Sequence, residues 1–259
     1  MRLTYEQKME IYRNGFVKVP GVVPQVMVDR AVKAINHSLG QNGIPPDDLP
    51  TFRSQSYCPE VQKDAAITDL INKTPAWQLA ESAIGDGKIV GPAGAGQIAL
   101  RFPGAYDPPP LPQGHLDGLY SPNNGVPKGE IHNFTMLLGI VLSDVPEPYS
   151  GNLAVWPGSH HLYEQYFREE GPESLLSGMP PVELPEPHQM TGKAGDVVLC
   201  HYQVCHGAAP NTSPNTRYAI YFRLRHADLA DHRFESMKDI WMDWEGMREI
   251  VEEQRQAVA

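Results

Sequence analysis

From residue 89 to about residue 225 the chain is a series of short apolar or alternating runs: Ile98–Phe102, Phe134–Leu142, Leu153–Trp156, Val197–Cys200 and Tyr218–Leu224. Clusters of Pro, Gly and Asn separate them. Alternation sends successive side chains to opposite faces, so each run can bury one face against a shared core. That confines this region to an all-β sandwich or barrel, and periodicity alone does not choose between the two.

Before residue 89 the pattern is helical. Thr4 to Asn14 reads as an amphipathic helix with Thr4 as N-cap and Gly15 as stop, followed by a strand over Phe16–Pro20. Pro24 to Leu39 reads as a second helix, with Val26, Val28, Ala31, Val32 and Ile35 available for a buried stripe and Gly40 as C-cap. Asn42–Phe52 is a Pro- and Asp-rich loop, and two more helices are expected near Pro59–Asn72 and Pro75–Ile84. A helical, Trp-bearing segment from Ser236 to Gln256 closes the chain. The expectation is one domain over 1–259: a mostly helical part (1–88), a β core (89–225) and a helical tail (226–259).

Charge narrows the partners. With 21 basic and 31 acidic residues the net charge is −10, and no Lys/Arg run offers a footprint for nucleic acid or an anionic membrane. Three cysteines (Cys58, Cys200, Cys205) cannot make a disulfide framework. The first residues lack the apolar core of a secretory signal, and no apolar run reaches bilayer length, so the expectation is a soluble cytoplasmic protein acting on a small molecule.

Within the β region one tripeptide carries chemistry. In Gln113-Gly114-His115-Leu116-Asp117-Gly118, His115 and Asp117 lie at i and i+2. In extended backbone these positions share a face, so an imidazole and a carboxylate can converge on one divalent cation. A second His from a distant strand would complete the facial triad of non-haem Fe(II) oxygenases. The chain contains another His-x-Asp, His226-Ala227-Asp228, but only His232 follows it, in the helical tail. After His115, His206 ends a strand segment beside Gly207, and Arg217 opens the next strand after ten intervening residues. Adjacent strands lie about 5 Å apart, so Arg217 can come near a metal held by His206. Its planar fork suits a carboxylate, which suggests a bound 2-oxo acid.

Taken with Gly151-Asn152-Leu153, Pro157-Gly158-Ser159-His160 and the N-terminal pattern Gly15-Phe16-Val17-Lys18-Val19-Pro20, these motifs resemble the phytanoyl-CoA dioxygenase family over nearly the full chain. The resemblance implies a mainly β fold with flanking helices, a double-stranded β-helix of the cupin-like jelly-roll type. It implies an Fe(II)- and 2-oxoglutarate-dependent dioxygenase that uses O2, releases succinate and CO2 and hydroxylates an unactivated C–H. By position, His115, Asp117 and His206 become the iron ligands, Arg217 the holder of the distal carboxylate of 2-oxoglutarate, and Thr135 a hydroxyl near that carboxylate. The Gln that often separates His and Asp in the family is Leu116 here, whereas Asp117 is present where halogenating relatives carry Gly or Ala.

Other readings compete. His201, five residues before His206, is a rival ligand, but an odd separation in a strand turns it to the other face. Cys200-His201 and Cys205-His206 lack the second knuckle of a zinc site. His160 and His161 read as structural or rim residues, and Trp241 and Trp244 as packing. Tyr120, Trp156 and Tyr218 are pocket or core aromatics, and Arg101 meets an anionic group or caps the sheet edge. The alternatives to the dioxygenase are a non-catalytic jelly-roll binding module and a cupin-like metal isomerase or hydrolase.

Overall fold

The structure, a computed structural model, describes residues 1–46, 55–121 and 124–258. The expected loop Asn42–Phe52 therefore lies in part outside the described residues. Among the described residues eight strands form two antiparallel sheets. β1 (Phe16–Val19), β2 (Gln97–Arg101), β3 (Met136–Val141), β6 (Val197–His201) and β8 (Arg217–Leu224) make a five-stranded sheet in the order β1-β6-β3-β8-β2. β4 (Leu153–Val155), β5 (His188–Gln189) and β7 (His206–Ala208) make a three-stranded sheet in the order β5-β4-β7. The result is an open double sheet of the cupin-like type and not a closed barrel.

Period-two alternation decides what each face of the large sheet does. Met136, Leu138 and Ile140 of β3, Val197 and Leu199 of β6, and Ile220, Phe222 and Leu224 of β8 join one apolar cluster with the helices. Those helices are α1 (Tyr5–Asn14), α2 (Gln25–Asn42), α3 (Ala65–Asn72) and α4 (Pro75–Ile84). Leu137, Val198 and Cys200, one residue out of phase, join a second cluster between the sheets with Ala154, Val155 and Cys205. The face of β8 opposite the helices thus carries Arg217, Tyr221 and Arg223 towards the space between the sheets.

The helix ends follow local chemistry. The Thr4 hydroxyl accepts from Gln7 N–H and the Gln7 amide oxygen accepts from Thr4 N–H, a reciprocal cap at the start of α1. Gly15 ends α1 in the left-handed conformation, at φ 81°. α2 passes through the expected cap at Gly40 and stops at Gly43. Val26, expected in its buried stripe, is exposed, while Val28, Ala31 and Ile35 are buried. α3 begins only at Ala65, where the Asp64 carboxylate caps Ala66 N–H, so the helix expected from Pro59 is shorter by its first turns.

Three further departures stand out. The segment after Pro157-Gly158 is a helix, α5 (Ser159–Glu170), whose Tyr163 and Phe167 bury against the inter-sheet cluster. The tail is broken into α6 (Leu229–His232), α7 (Glu235–Lys238), a 3-10 turn (Glu245–Met247) and α8 (Arg248–Val258), where one helix was expected. Moreover, His206 opens β7 of the small sheet, whereas Arg217 opens β8 of the large one. The two residues approach across the gap between sheets, and not as neighbours within one sheet.

Candidate metal centre

His115 lies outside the named strands but pairs with His206 as an isolated antiparallel bridge. Its N–H donates to the His206 carbonyl at 2.9 Å, and the His206 N–H donates back at 3.1 Å. The turn that starts at Asp117 then brings its carboxylate to the same side. One ligand atom from each of His115, Asp117 and His206 lies within 4.8 Å of the others, and among the described residues no other His/Cys/Asp/Glu group meets that condition. The imidazole centroids of His115 and His206 are 4.7 Å apart. His115 Nε2 is 3.5 Å from Asp117 Oδ1, and His206 Nε2 is 3.8 Å from Oδ2.

The protonation states suit a cation. His206 Nδ1 sits 2.9 Å from the Val204 carbonyl, which fixes the proton there and leaves Nε2 as a lone-pair donor facing Asp117. Burial, with His115 adding to it, pulls the His206 pKa down to about 4, so the ring is neutral at pH 7. Burial pushes the Asp117 carboxyl up, but the Arg223 guanidinium and the two imidazoles outweigh it and hold the group well below the usual carboxylate range. A neutral His206 imidazole, the His115 ring beside it and one ionised carboxylate at this spacing fit a divalent first-row metal.

Two connected cavities flank these residues. The inner one is lined by His115, Asp117, His206, Arg217, Tyr221 and Arg223, among others. The outer one has a volume of about 630 Å³, and Tyr106, Leu111, Gln113, Leu119, Tyr120 and Asn124 are among its walls. Arg101, His115 and Asp117 border both. Arg217 is buried, and its Nε and NH1 donate to the Gly151 and Ala99 carbonyls at 2.5 and 3.0 Å. Burial, then the nearby Arg217 charge, lowers the Arg101 pKa to about 10.

Other residues singled out from the sequence fall elsewhere. Thr135 precedes β3, and its hydroxyl accepts from His226 N–H at 2.8 Å; it is not among the residues lining either cavity. His201 turns away from the site, with Nε2 on the Ile240 carbonyl and its ring stacked on Trp244. The His160 and His161 rings both reach the Tyr12 carbonyl. Leu116 is buried, and its N–H donates to Met179 Sδ at 3.2 Å. Trp156 is buried in the inter-sheet cluster, Tyr218 reaches Asn36 instead of the site, and Trp241 and Trp244 pack in the helical core. Tyr221 and Arg223 escaped sequence reasoning. The signal was the period of two counted onward from Arg217.

An open double sheet holding two histidines and a carboxylate beside an arginine is the architecture of the cupin-like metal oxygenases. Residues 113–219 match the phytanoyl-CoA dioxygenase (PhyH) family model, a span that takes in His115, Asp117, His206 and Arg217, so the resemblance is supported over that span. Among solved structures the chain is similar to HygX from Streptomyces hygroscopicus with nickel and 2-oxoglutarate bound, at 17% identity over 88% of each chain and a TM-score of 0.54. It is similar to AviO1 from Streptomyces viridochromogenes Tue57, at 19% identity over 86% of this chain and 94% of that one, with a TM-score of 0.52. ThoJ, a non-heme monooxygenase, matches at 14% identity over 85% and 77% with a TM-score of 0.56. These likenesses establish the fold. No curated protein sequence matches significantly.

Proposed function

We propose that this chain is an Fe(II)- and 2-oxoglutarate-dependent dioxygenase, a single domain that hydroxylates an unactivated C–H of a small organic molecule. The observation that carries the reading is the convergence of His115, Asp117 and His206 on one wall of the cavity that Arg217 also lines. Residues 113–219 match a dioxygenase family, and HygX holds iron in one structure and 2-oxoglutarate in another.

In this reading His115, Asp117 and His206 hold the iron through three atoms and leave three positions open. When bound, iron and 2-oxoglutarate supply the oxidising power through oxidative decarboxylation to succinate and CO2. The protein's part is placement. The Val204 carbonyl fixes the His206 tautomer. Arg217, anchored by two backbone carbonyls, offers its remaining N–H groups to the distal carboxylate. The outer cavity, at about 630 Å³, is the size of a small-molecule site and borders His115 and Asp117 directly. HygX also occurs with hygromycin B bound, so the fold admits a sizeable organic ligand.

The test is succinate formation from 2-oxoglutarate by wild type and His206→Ala. Wild type is expected to bind Fe(II) and form succinate, and the variant to lose both. Turnover retained by the variant overturns the assignment. Binding of 2-oxoglutarate without O2 consumption across a substrate panel favours the non-catalytic binding module.

A further inference from the structure

Asp117 has a partner that the triad reading leaves unexplained. Arg223 Nε donates to Asp117 Oδ2 at 2.9 Å, and Arg223 NH2 lies 2.9 Å from the same oxygen. The guanidinium is itself held in place: NH1 donates to Gln97 Oε1 at 2.7 Å, and its carbon lies 5.7 Å from the Phe134 ring centroid. The backbone of Arg223 is paired with Leu137 in the large sheet. Two hydrogen-bonding arms, an aromatic face and a strand thus aim one cation at one oxygen.

We propose that Arg223 is a positioning residue that keeps Asp117 a one-oxygen ligand. The proposal rests on the metal-binding reading above. A carboxylate can offer one oxygen to a metal or both, and each oxygen has about two lone-pair directions. Here Oδ2 faces two guanidinium nitrogens. Oδ2 also lies 3.8 Å from His206 Nε2, and Oδ1, 3.5 Å from His115 Nε2, is the oxygen that the two guanidinium nitrogens leave for the metal.

The distinction decides whether the site can work. Six positions less three protein atoms leave three, of which a chelating 2-oxo acid takes two and one stays open. If Asp117 gave both oxygens, four protein atoms would leave two positions, and the chelate would fill them. A lysine at 223 keeps the charge but loses the planar fork, so it cannot place two N–H groups on one oxygen in the same way.

The experiment counts metal-bound waters. Wild type, Arg223→Gln and Arg223→Lys are loaded with Mn(II), and water proton relaxation is measured before and after adding 2-oxoglutarate, with thermal melts to verify folding. Arg223→Gln is expected to lose about one of three exchangeable waters, a fall of about a third in the inner-sphere signal. On adding 2-oxoglutarate, wild type is expected to keep one water and the variant none. Arg223→Lys falls between them and decides the matter if Arg223→Gln does not fold. Equal water counts in wild type and the folded variants overturn the proposal. If wild type binds Mn(II) but 2-oxoglutarate displaces no water, the dioxygenase reading fails while the variant counts still judge Arg223. A wild type that takes up no Mn(II) overturns both.

Discussion

His115 and His206 hydrogen-bond to each other through their own backbones, N–H to carbonyl in both directions, at 2.9 and 3.1 Å. The bridge ties the segment before Asp117 to the first residue of β7, so two histidines remote in sequence are set side by side by main-chain geometry before any side chain is considered. Each ring needs only a rotamer choice to reach the common point, and the Val204 carbonyl makes that choice for His206.

Gly207 is what allows the bridge to close. A Cβ there would stand 2.1 Å from the Gln113 carbonyl oxygen, a backbone atom that cannot move aside cheaply. Gly207→Ala is expected to push β7 away from His115 and weaken divalent metal binding by at least about tenfold. A metal titration beside a circular dichroism spectrum of unchanged shape checks it. Unaltered metal affinity would mean that the bridge does not set the ligands.

Arg217 spends two of its N–H donors on the Gly151 and Ala99 carbonyls and keeps the rest of its fork for the cavity. Arg217→Lys is expected to raise KM for 2-oxoglutarate on the order of tenfold or more, with a smaller loss in kcat. Leaving one buried carbonyl short of a donor costs about 1–3 kcal/mol of stability as well. Steady-state kinetics against 2-oxoglutarate, beside a denaturant melt, separate the two effects.

Thr135→Val discriminates between two roles for that hydroxyl. The structure gives it to His226 N–H, so its loss is expected to cost about 1–3 kcal/mol in stability and to leave the Kd for 2-oxoglutarate within about twofold. A large rise in Kd at unchanged stability would support the role implied by the family resemblance.

Acid is expected to weaken the fold through histidines outside the site. Burial lowers the pKa of His201 to about 4 and that of His160 well below its ordinary value. The unfolded chain takes up these protons near pH 6.5 and the folded chain refuses them. Stability therefore rises with pH through the window from about 4 to about 6.5, and His201 alone accounts for about 3 kcal/mol of the loss on acidification. Melting temperatures of metal-free protein at pH 7.5 and pH 5 check this, and His201→Gln is expected to flatten the slope even though it lowers the plateau.

The sequence made His115 and Asp117 legible because i and i+2 on extended backbone share a face whatever the sheet does. The β runs of five or more residues were legible for the same reason. β7 was not, since His206–Ala208 is too short to show a period, and so the sheet it joins stayed hidden. α5 was concealed by its start: Gly158 sits at φ 76° and supplies no side-chain cap, so Pro157-Gly158-Ser159 reads as a turn. Yet Tyr163 and Phe167, at i and i+4, already marked a buried helical face. An arginine late in a strand resembles a solvent-facing charge, so the sequence alone does not single out Arg223. Only counting by twos from Arg217, with Asp117 known to lie opposite, brings it into the site. Thr135 follows only from the family resemblance, and its hydroxyl accepts from the His226 N–H.

His115, Asp117, His206 and Arg217 are expected to form together a site for Fe(II) and 2-oxoglutarate. The most direct measurement is an anaerobic titration of metal-free protein with Fe(II) and then 2-oxoglutarate, followed by the weak visible charge-transfer band of the chelated 2-oxo acid. Wild type is expected to develop the band. His206→Ala is expected to lose it, and Arg217→Ala to need far more 2-oxoglutarate to reach it or to lose it as well. A wild-type protein that binds Fe(II) but shows no band at saturating 2-oxoglutarate would contradict the account.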